Sequence, residues 1–182
     1  NTDGPGFIAA LQEAGVKGWE HCLVLGAGGA GRSVVLALAQ NGARDITILD
    51  TDEARAGRLA EYVTHNTSAR AQGKLAGPDN WSQAAARVDL IVNCTPVGMY
   101  PQVEASPAAS MDGVAEGAVV CDIVYNPLET KFLAMARQKG LLTVNGLSMF
   151  VYQGALTLKI LLGIDPPVDY MKEVVKHGLE LQ

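Results

Sequence analysis

The chain is poor in the residues that build metal and disulfide sites. Its 182 residues include only three cysteines and three histidines. Cys22, Cys94 and Cys121 lie far apart with no C-x-x-C spacing, and His21, His65 and His177 are equally scattered. Metal sites are expected to announce themselves by closely spaced ligands, so none is expected here. The thiols read instead as small buried side chains in or beside strands, in a reducing, cytoplasmic setting. Positive charge is also short. Lysine and arginine number 14 against 19 acidic residues, a net charge of −5, so no basic surface recommends a nucleic-acid partner. Long uninterrupted apolar runs are missing too. The most apolar stretch, after Gly146, contains Gln153 and Lys159, which argues against a membrane span. No signal-peptide pattern is visible. The chain begins at Asn1 rather than methionine, and no strand precedes its first helix-like segment. Both features are expected of a fragment or a processed chain.

What is present is material for a core. The chain is 48% hydrophobic and 18% charged, a globular balance, and its length suits one domain or one domain with an appendage. Short apolar runs recur: His21–Leu25, Asp45–Leu49, Val88–Asn93, Ala118–Val124 and Leu141–Val144. A further short strand is expected near Lys74-Leu75. Helical patterns separate these runs. One covers Phe7 to Ala14, one follows the glycine loop to Asn41, and one runs from Thr51-Asp52-Glu53 to His65. Others cover Ser82–Arg87, Thr130–Lys139, Ser148–Leu162 and Val168–His177. Asn1–Gly6 reads as a turn, and Thr95 to Gly117 as a long loop. Continuously apolar strands alternating with helices predict a parallel sheet covered on both faces. The fold class is therefore α/β, doubly wound, with strand order 3-2-1-4-5-6 and ligands at the C-terminal strand ends.

The stretch Gly26-Ala27-Gly28-Gly29-Ala30-Gly31 sits between the first strand and its helix. The first glycine allows a tight turn, the second lets a pyrophosphate approach the backbone, and the third lets helix pack on strand. Phosphates then meet free N–H groups at the helix N-terminus. The second strand ends at Asp50, where a carboxylate can hold a ribose hydroxyl pair. Dinucleotide binding follows from this context, against the plainer reading of a glycine turn that only connects two elements.

Five ordered stretches carry a family resemblance: Asn1-Thr2-Asp3, Gly26–Ala30, Asn93-Cys94-Thr95-Pro96-Val97-Gly98-Met99, Asp122-Ile123-Val124-Tyr125-Asn126-Pro127, and Gly146–Gln153. Together they resemble the shikimate/quinate dehydrogenase family. That family has an N-terminal domain holding much of the substrate site, followed by a dinucleotide domain. The resemblance places this chain as the second domain, without the first and without the catalytic lysine. It divides the chain into a connecting helix and cleft start (1–18), an NAD(P)-binding domain (19–146), and C-terminal helices packing toward the first domain (147–182).

The resemblance also implies roles. Asp3 matches the aspartate that pairs with the lysine and touches the substrate hydroxyl. Gln153 and Tyr125 match residues beside the substrate. Cys94, Thr95, Pro96 and Val97 match the loop lining the nicotinamide, and Gly146 and Met149 match residues against its ring. Without the family, Asp3 would read as an exposed cap, Tyr125 and Met149 as core, and Gln153 as a buried polar contact. Members using NADP commonly carry Asn-Arg-Thr after the second strand, where Asp50-Thr51-Asp52 stands here. Two carboxylates repel a 2′-phosphate, so NAD is expected over NADP, with Arg55 and Arg58 as a partial offset. The expected partner is a small molecule, shikimate or quinate. Apolar surface on Gly146–Leu162 also allows a homodimer. Two other readings stay open: a dinucleotide-binding module without turnover, and another two-domain NAD(P) enzyme such as a methylene-tetrahydrofolate dehydrogenase.

Overall fold

The computed structural model describes residues 1–180. Six strands form one parallel sheet: β1 (His21–Leu25), β2 (Asp45–Asp50), β3 (Arg70–Leu75), β4 (Leu90–Asn93), β5 (Val119–Asp122) and β6 (Leu142–Val144). Their order is β3-β2-β1-β4-β5-β6, as the alternation of elements predicted. The seven helices among the described residues are α1 (Asp3–Glu13), α2 (Gly29–Gln40), α3 (Glu53–Asn66), α4 (Pro78–Ala85), α5 (Lys131–Gln138), α6 (Gly146–Leu162) and α7 (Val168–Glu180).

The sheet separates two cores because alternate strand residues point to opposite faces. Cys22, Val24, Ile46, Ile48, Leu90 and Val92 pack with α1, α2 and α3 on one face. Leu23, Leu25, Leu49, Ile91 and Val120 pack with Trp81 of α4 and Phe132 of α5 on the other. Both faces are thus buried, and this explains why the central strands are apolar throughout. The register pairs Cys22 with Ile46 on one side and with Leu90 on the other.

Three elements start well before the sequence reading placed them, each for a physical reason. Asn1–Gly6 is not a turn, since α1 already starts at Asp3. Gly4 and Gly6 serve helix contact: a Cβ on Gly4 would lie 3.0 Å from the Ala37 Cβ, and one on Gly6 2.8 Å from the Gln153 nitrogen. Thus α1 is wedged between α2 and α6. The third strand extends back to Arg70. As an edge strand it needs no apolar run, and its Arg-Ala-Gln-Gly-Lys-Leu sequence hides it. The fourth helix begins at Pro78, where proline suits the first turn, rather than at Ser82.

The carboxylate of Glu13, at the end of α1, fastens the C-terminal helices. It accepts hydrogen bonds from Ser148 Oγ (2.7 Å) and pairs with Lys172 Nζ. The same ammonium lies 4.7 Å from the Tyr152 ring centroid, a cation–π contact. Beyond this clamp, Ile160, Leu161 and Leu162 at the end of α6 are 74%, 73% and 63% exposed. No helix among the described residues is long and apolar enough to cross a membrane.

Candidate functional site

A cavity of about 660 Å³ opens at the C-terminal strand ends, where the chain order reverses between β1 and β4. This is the crevice in which open α/β sheets bind ligands. Gly26 and Gly28 border it on one side, Asp50 and Arg55 at one end, and Cys94–Val97 opposite. The long segment between β4 and β5 is not a loose loop. It folds back so that Ala108 and Met111 are buried in the second core, and Pro107–Ser110 wall the cavity facing Trp81.

Three of the four glycines in the loop have different roles. Gly26 has φ +97°, and a Cβ there would lie 2.9 Å from the Thr95 methyl. A Cβ on Gly31 would stand 2.0 Å from the Gly26 carbonyl oxygen, so only glycine lets α2 approach β1 this closely. A Cβ on Gly28 would meet nothing within 4 Å. The space above Gly28 is open to a ligand, as a pyrophosphate requires. Helix α2 starts at Gly29 with no side-chain cap, so the N–H groups of Gly29, Ala30 and Gly31 head an uncapped N-terminus, a site suited to phosphate.

Asp50 is engaged more fully than its sequence position reveals. Its side chain is 4% exposed. One oxygen accepts from the Ala27 N–H (2.6 Å) and Arg55 Nε (3.3 Å), the other from the Asp52 N–H (2.8 Å) and an Arg55 terminal nitrogen (2.6 Å). Burial alone would raise this carboxyl, but the Arg55 guanidinium and the two backbone N–H groups hold it at about 2. Asp50 is therefore ionised, and it ties the glycine loop to β2. Beyond Arg55 lies a second hollow of about 330 Å³ bordered by Ala27, Arg32, Arg58 and Tyr62.

The opposite wall rests on a buried polar network. Asn93 ends β4 and stands in register with Asp122 at the end of β5. Both are at most 1% exposed. Asp122 accepts from Asn93 Nδ2 (3.0 Å), the Val124 N–H (3.0 Å) and Thr130 Oγ1 (2.7 Å). Asn93 Oδ1 in turn accepts from the Thr95 N–H (3.0 Å) and Thr95 Oγ1 (2.7 Å), while its Nδ2 also donates to the Val97 carbonyl (3.3 Å). Burial pushes the Asp122 carboxyl up to about 6, against the pull of these three donors. Beside it, burial drives the Cys94 and Cys121 thiols far above their ordinary range. They stay neutral, so Cys94 lines the cavity without being a nucleophile.

The residues matched to the substrate, and the two matched to the nicotinamide ring, collect around α6. Asp3 opens α1, whose Gly6 presses on Gln153. Thr2 and Thr157 join the same helices by a hydrogen bond of 3.0 Å. Gln153 Nε2 donates to the Phe150 carbonyl, and the Tyr125 ring, 36% exposed, stacks on Phe150 at 4.2 Å. Gly146 starts α6 hard against the Ile123 carbonyl, 2.2 Å from where a Cβ would sit. Met149 is buried in the first core. Sequence reasoning passed over the Asp122–Asn93 network, the 107–110 wall and Arg32. A polar residue closing an otherwise apolar strand was the available signal for the first.

Fold and cleft together define a dinucleotide-binding α/β domain. The profile of the saccharopine dehydrogenase NADP-binding domain matches residues 22–101, and that of the shikimate 5′-dehydrogenase C-terminal domain matches 146–176. A protein of Syntrophomonas wolfei named shikimate dehydrogenase (NADP(+)) is 48% identical, over 99% of this chain and 62% of its own length. Listeria monocytogenes shikimate 5-dehydrogenase, solved with shikimate and NAD, superposes with TM-score 0.89 at 32% identity, over 96% of this chain and 62% of that one. Corynebacterium glutamicum quinate dehydrogenase, solved with NAD, gives TM-score 0.87 at 30% identity, over 97% and 62%. The chain belongs to the shikimate/quinate dehydrogenase family and carries its dinucleotide-binding domain. It spans about three-fifths of the length of these relatives.

Proposed function

We propose that this chain is the nicotinamide-dinucleotide domain of an oxidoreductase that interconverts shikimate or quinate and the corresponding ketone. The carrying observation is the cleft itself. Open space over Gly28, an uncapped α2 N-terminus and a cavity reaching Asp50 fit an extended dinucleotide. The pyrophosphate lies on Gly28–Gly31, the adenosine end toward Asp50, and the nicotinamide end toward Thr95–Val97 and Gly146. When bound, the cofactor supplies the hydride acceptor or donor. The chain's own residues bind and orient. Asp3 and Gln153 hold the hydroxyls of the substrate, with Tyr125 beside it. Asp3 orients the base that takes the hydroxyl proton. That base is a lysine matched by no motif in these 182 residues. Residues 1–18 act as the connection to the substrate-binding part, and residues 147–180 pack toward it; Leu181 and Gln182 lie outside the described residues.

NAD is the favoured cofactor, because the ionised Asp50 faces the adenosine end and occupies Arg55. NADP has its own support in Arg32, Arg55 and Arg58 around the second hollow, and in the relative's name. Calorimetric titration with NAD+ and NADP+ separates the two. An absorbance assay for reduced cofactor, run with shikimate and with quinate on this chain and on the full-length protein, tests the reaction. Turnover is expected from the full-length protein only. Robust turnover by the chain alone would place the base within these residues and overturn the assignment.

A further inference from the structure

We propose that Asp122, which does not line the cavity, is a positioning residue that sets dinucleotide affinity by locking the Asn93–Val97 turn through the Asn93 amide. The proposal rests on the dinucleotide reading of the cleft. Its warrant is the direction of the hydrogen bonds. An ionised carboxylate only accepts, so the Asn93 oxygen that faces it would be repelled and the NH2 group must face it. That choice leaves Asn93 Oδ1 for the Thr95 N–H and hydroxyl, and it aims Nδ2 at the Val97 carbonyl as well. The Thr95 hydroxyl then accepts from the Val97 N–H at 3.2 Å. One buried charge thus fixes both ends of the turn whose Cys94, Thr95, Pro96 and Val97 form a wall of the cavity. The same turn closes over Gly26, where the Thr95 methyl and Cys94 carbonyl stand within about 3 Å of an added Cβ.

Protonating Asp122 reverses the logic. A carboxyl hydrogen adds a donor to a site that already holds three donors: Thr130 Oγ1, the Val124 N–H and Asn93 Nδ2. One pairing is lost, and the Asn93 amide can turn over and release Thr95. The surroundings leave Asp122 to titrate alone. The thiols of Cys94 on the β4 side and Cys121 on β5 are neutral, α5 presents the Thr130 hydroxyl, and no charged side chain contributes to its shift. None of the three histidines borders the cavity, and Asp50 is ionised throughout the range near pH 6.

Affinity and stability then respond to pH in opposite directions. The folded-state pKa of Asp122 is raised above its unfolded value, so this group's contribution to stability falls as pH rises toward 6. The locked turn, and with it the affinity, improves over the same rise. A residue that merely held the fold together would move both the same way.

The test is calorimetric titration of the chain with NAD+ from pH 5 to pH 8, beside thermal melts at each pH. NAD+ is the probe because the 2′-phosphate of NADP+ itself titrates near pH 6. Wild type is expected to bind about tenfold more weakly at pH 5 than at pH 7.5. Asp122→Asn is expected to bind about tenfold more weakly than wild type at pH 7.5, with no pH dependence and with its melting temperature kept. A flat wild-type profile, or a variant that keeps both wild-type affinity and wild-type pH dependence, overturns the proposal. Should Asp122→Asn fail to fold, Thr130→Ala removes one donor from the carboxylate and must move the affinity midpoint to higher pH. An unmoved midpoint refutes it equally. Absence of any NAD+ or NADP+ binding by wild type at pH 7.5 removes the dinucleotide reading itself, and this proposal with it.

Discussion

Replacing Asp50 by asparagine keeps the shape of the side chain and deletes its charge. In the folded protein the carboxylate accepts from two backbone N–H groups and from Arg55. The amide can accept with one oxygen only and must turn its NH2 toward a former donor. Two routes give the magnitude. A hydrogen bond to a charged group contributes about 1.5–3 kcal/mol. The depression of the carboxyl to about 2, from 3.8, corresponds to about 2 kcal/mol at neutral pH. For a domain of this size that is a fall in Tm of about 4–8 °C. The sign with pH follows from the depressed value. The stabilisation is fully present above the unfolded pKa near 4 and is lost as pH falls through about 2. At pH 3 about half of it remains. Thermal melts of both proteins at pH 7 and pH 3 read this directly. A gap between them that does not narrow at pH 3 would show that the ionised carboxylate is not its source. In the same variant Arg55 is released. Affinity for NAD+ should drop about tenfold while NADP+ loses less, and an unchanged ratio would remove Asp50 from cofactor choice.

Three further outcomes follow from the packing. Gly28→Val should abolish cofactor binding with an unchanged circular dichroism spectrum, because the new side chain enters open space in the free protein; retained affinity would refute the loop assignment. Gly31→Ala should cost stability as well as binding, on the order of 1–3 kcal/mol or more, since its Cβ meets the Gly26 carbonyl oxygen; a melting temperature equal to wild type would contradict the close approach of α2 to β1. Phe132→Ala should cost about 3–5 kcal/mol in chemical denaturation, because the ring is fully buried against Trp81, and a loss below about 1 kcal/mol would mean that the second core collapses around the gap.

The topology was legible because burial on both faces leaves a continuous apolar signature in β1, β2, β4 and β5, and the glycine loop told which strand came first. The edges were less legible. Strand β3 is polar and owes its place to pairing with β2, which leaves little pattern in the residues. The start of α1 was hidden because Gly4 and Gly6 look like turn residues, whereas their use is to admit Ala37 and Gln153. In the site, the glycine loop was readable from its place between strand and helix, whereas the 94–97 turn was assigned its role only through the family resemblance. What stayed hidden were partners distant in sequence. Asp50 was visible as a carboxylate at a strand end, but its bond to the Ala27 N–H joins residues 23 positions apart. Asn93 and Asp122, 29 apart, meet only after β4 and β5 align. Polar side chains with no periodicity acquire meaning through register, and register belongs to the assembled sheet.

The bond from the Ala27 N–H to Asp50 has a consequence for how a ligand arrives. A glycine-rich loop is the segment a chain would most readily leave in many conformations, since each glycine forfeits much backbone entropy when ordered. Here the protein's own carboxylate does the ordering from beneath, leaving the upper face of Gly28 clear. The entropy is surrendered during folding, once, and is not demanded again at each encounter. The visiting molecule meets a mould that has already set. Its residence should then be governed by how fast it leaves, with little delay on entry from the loop finding its shape.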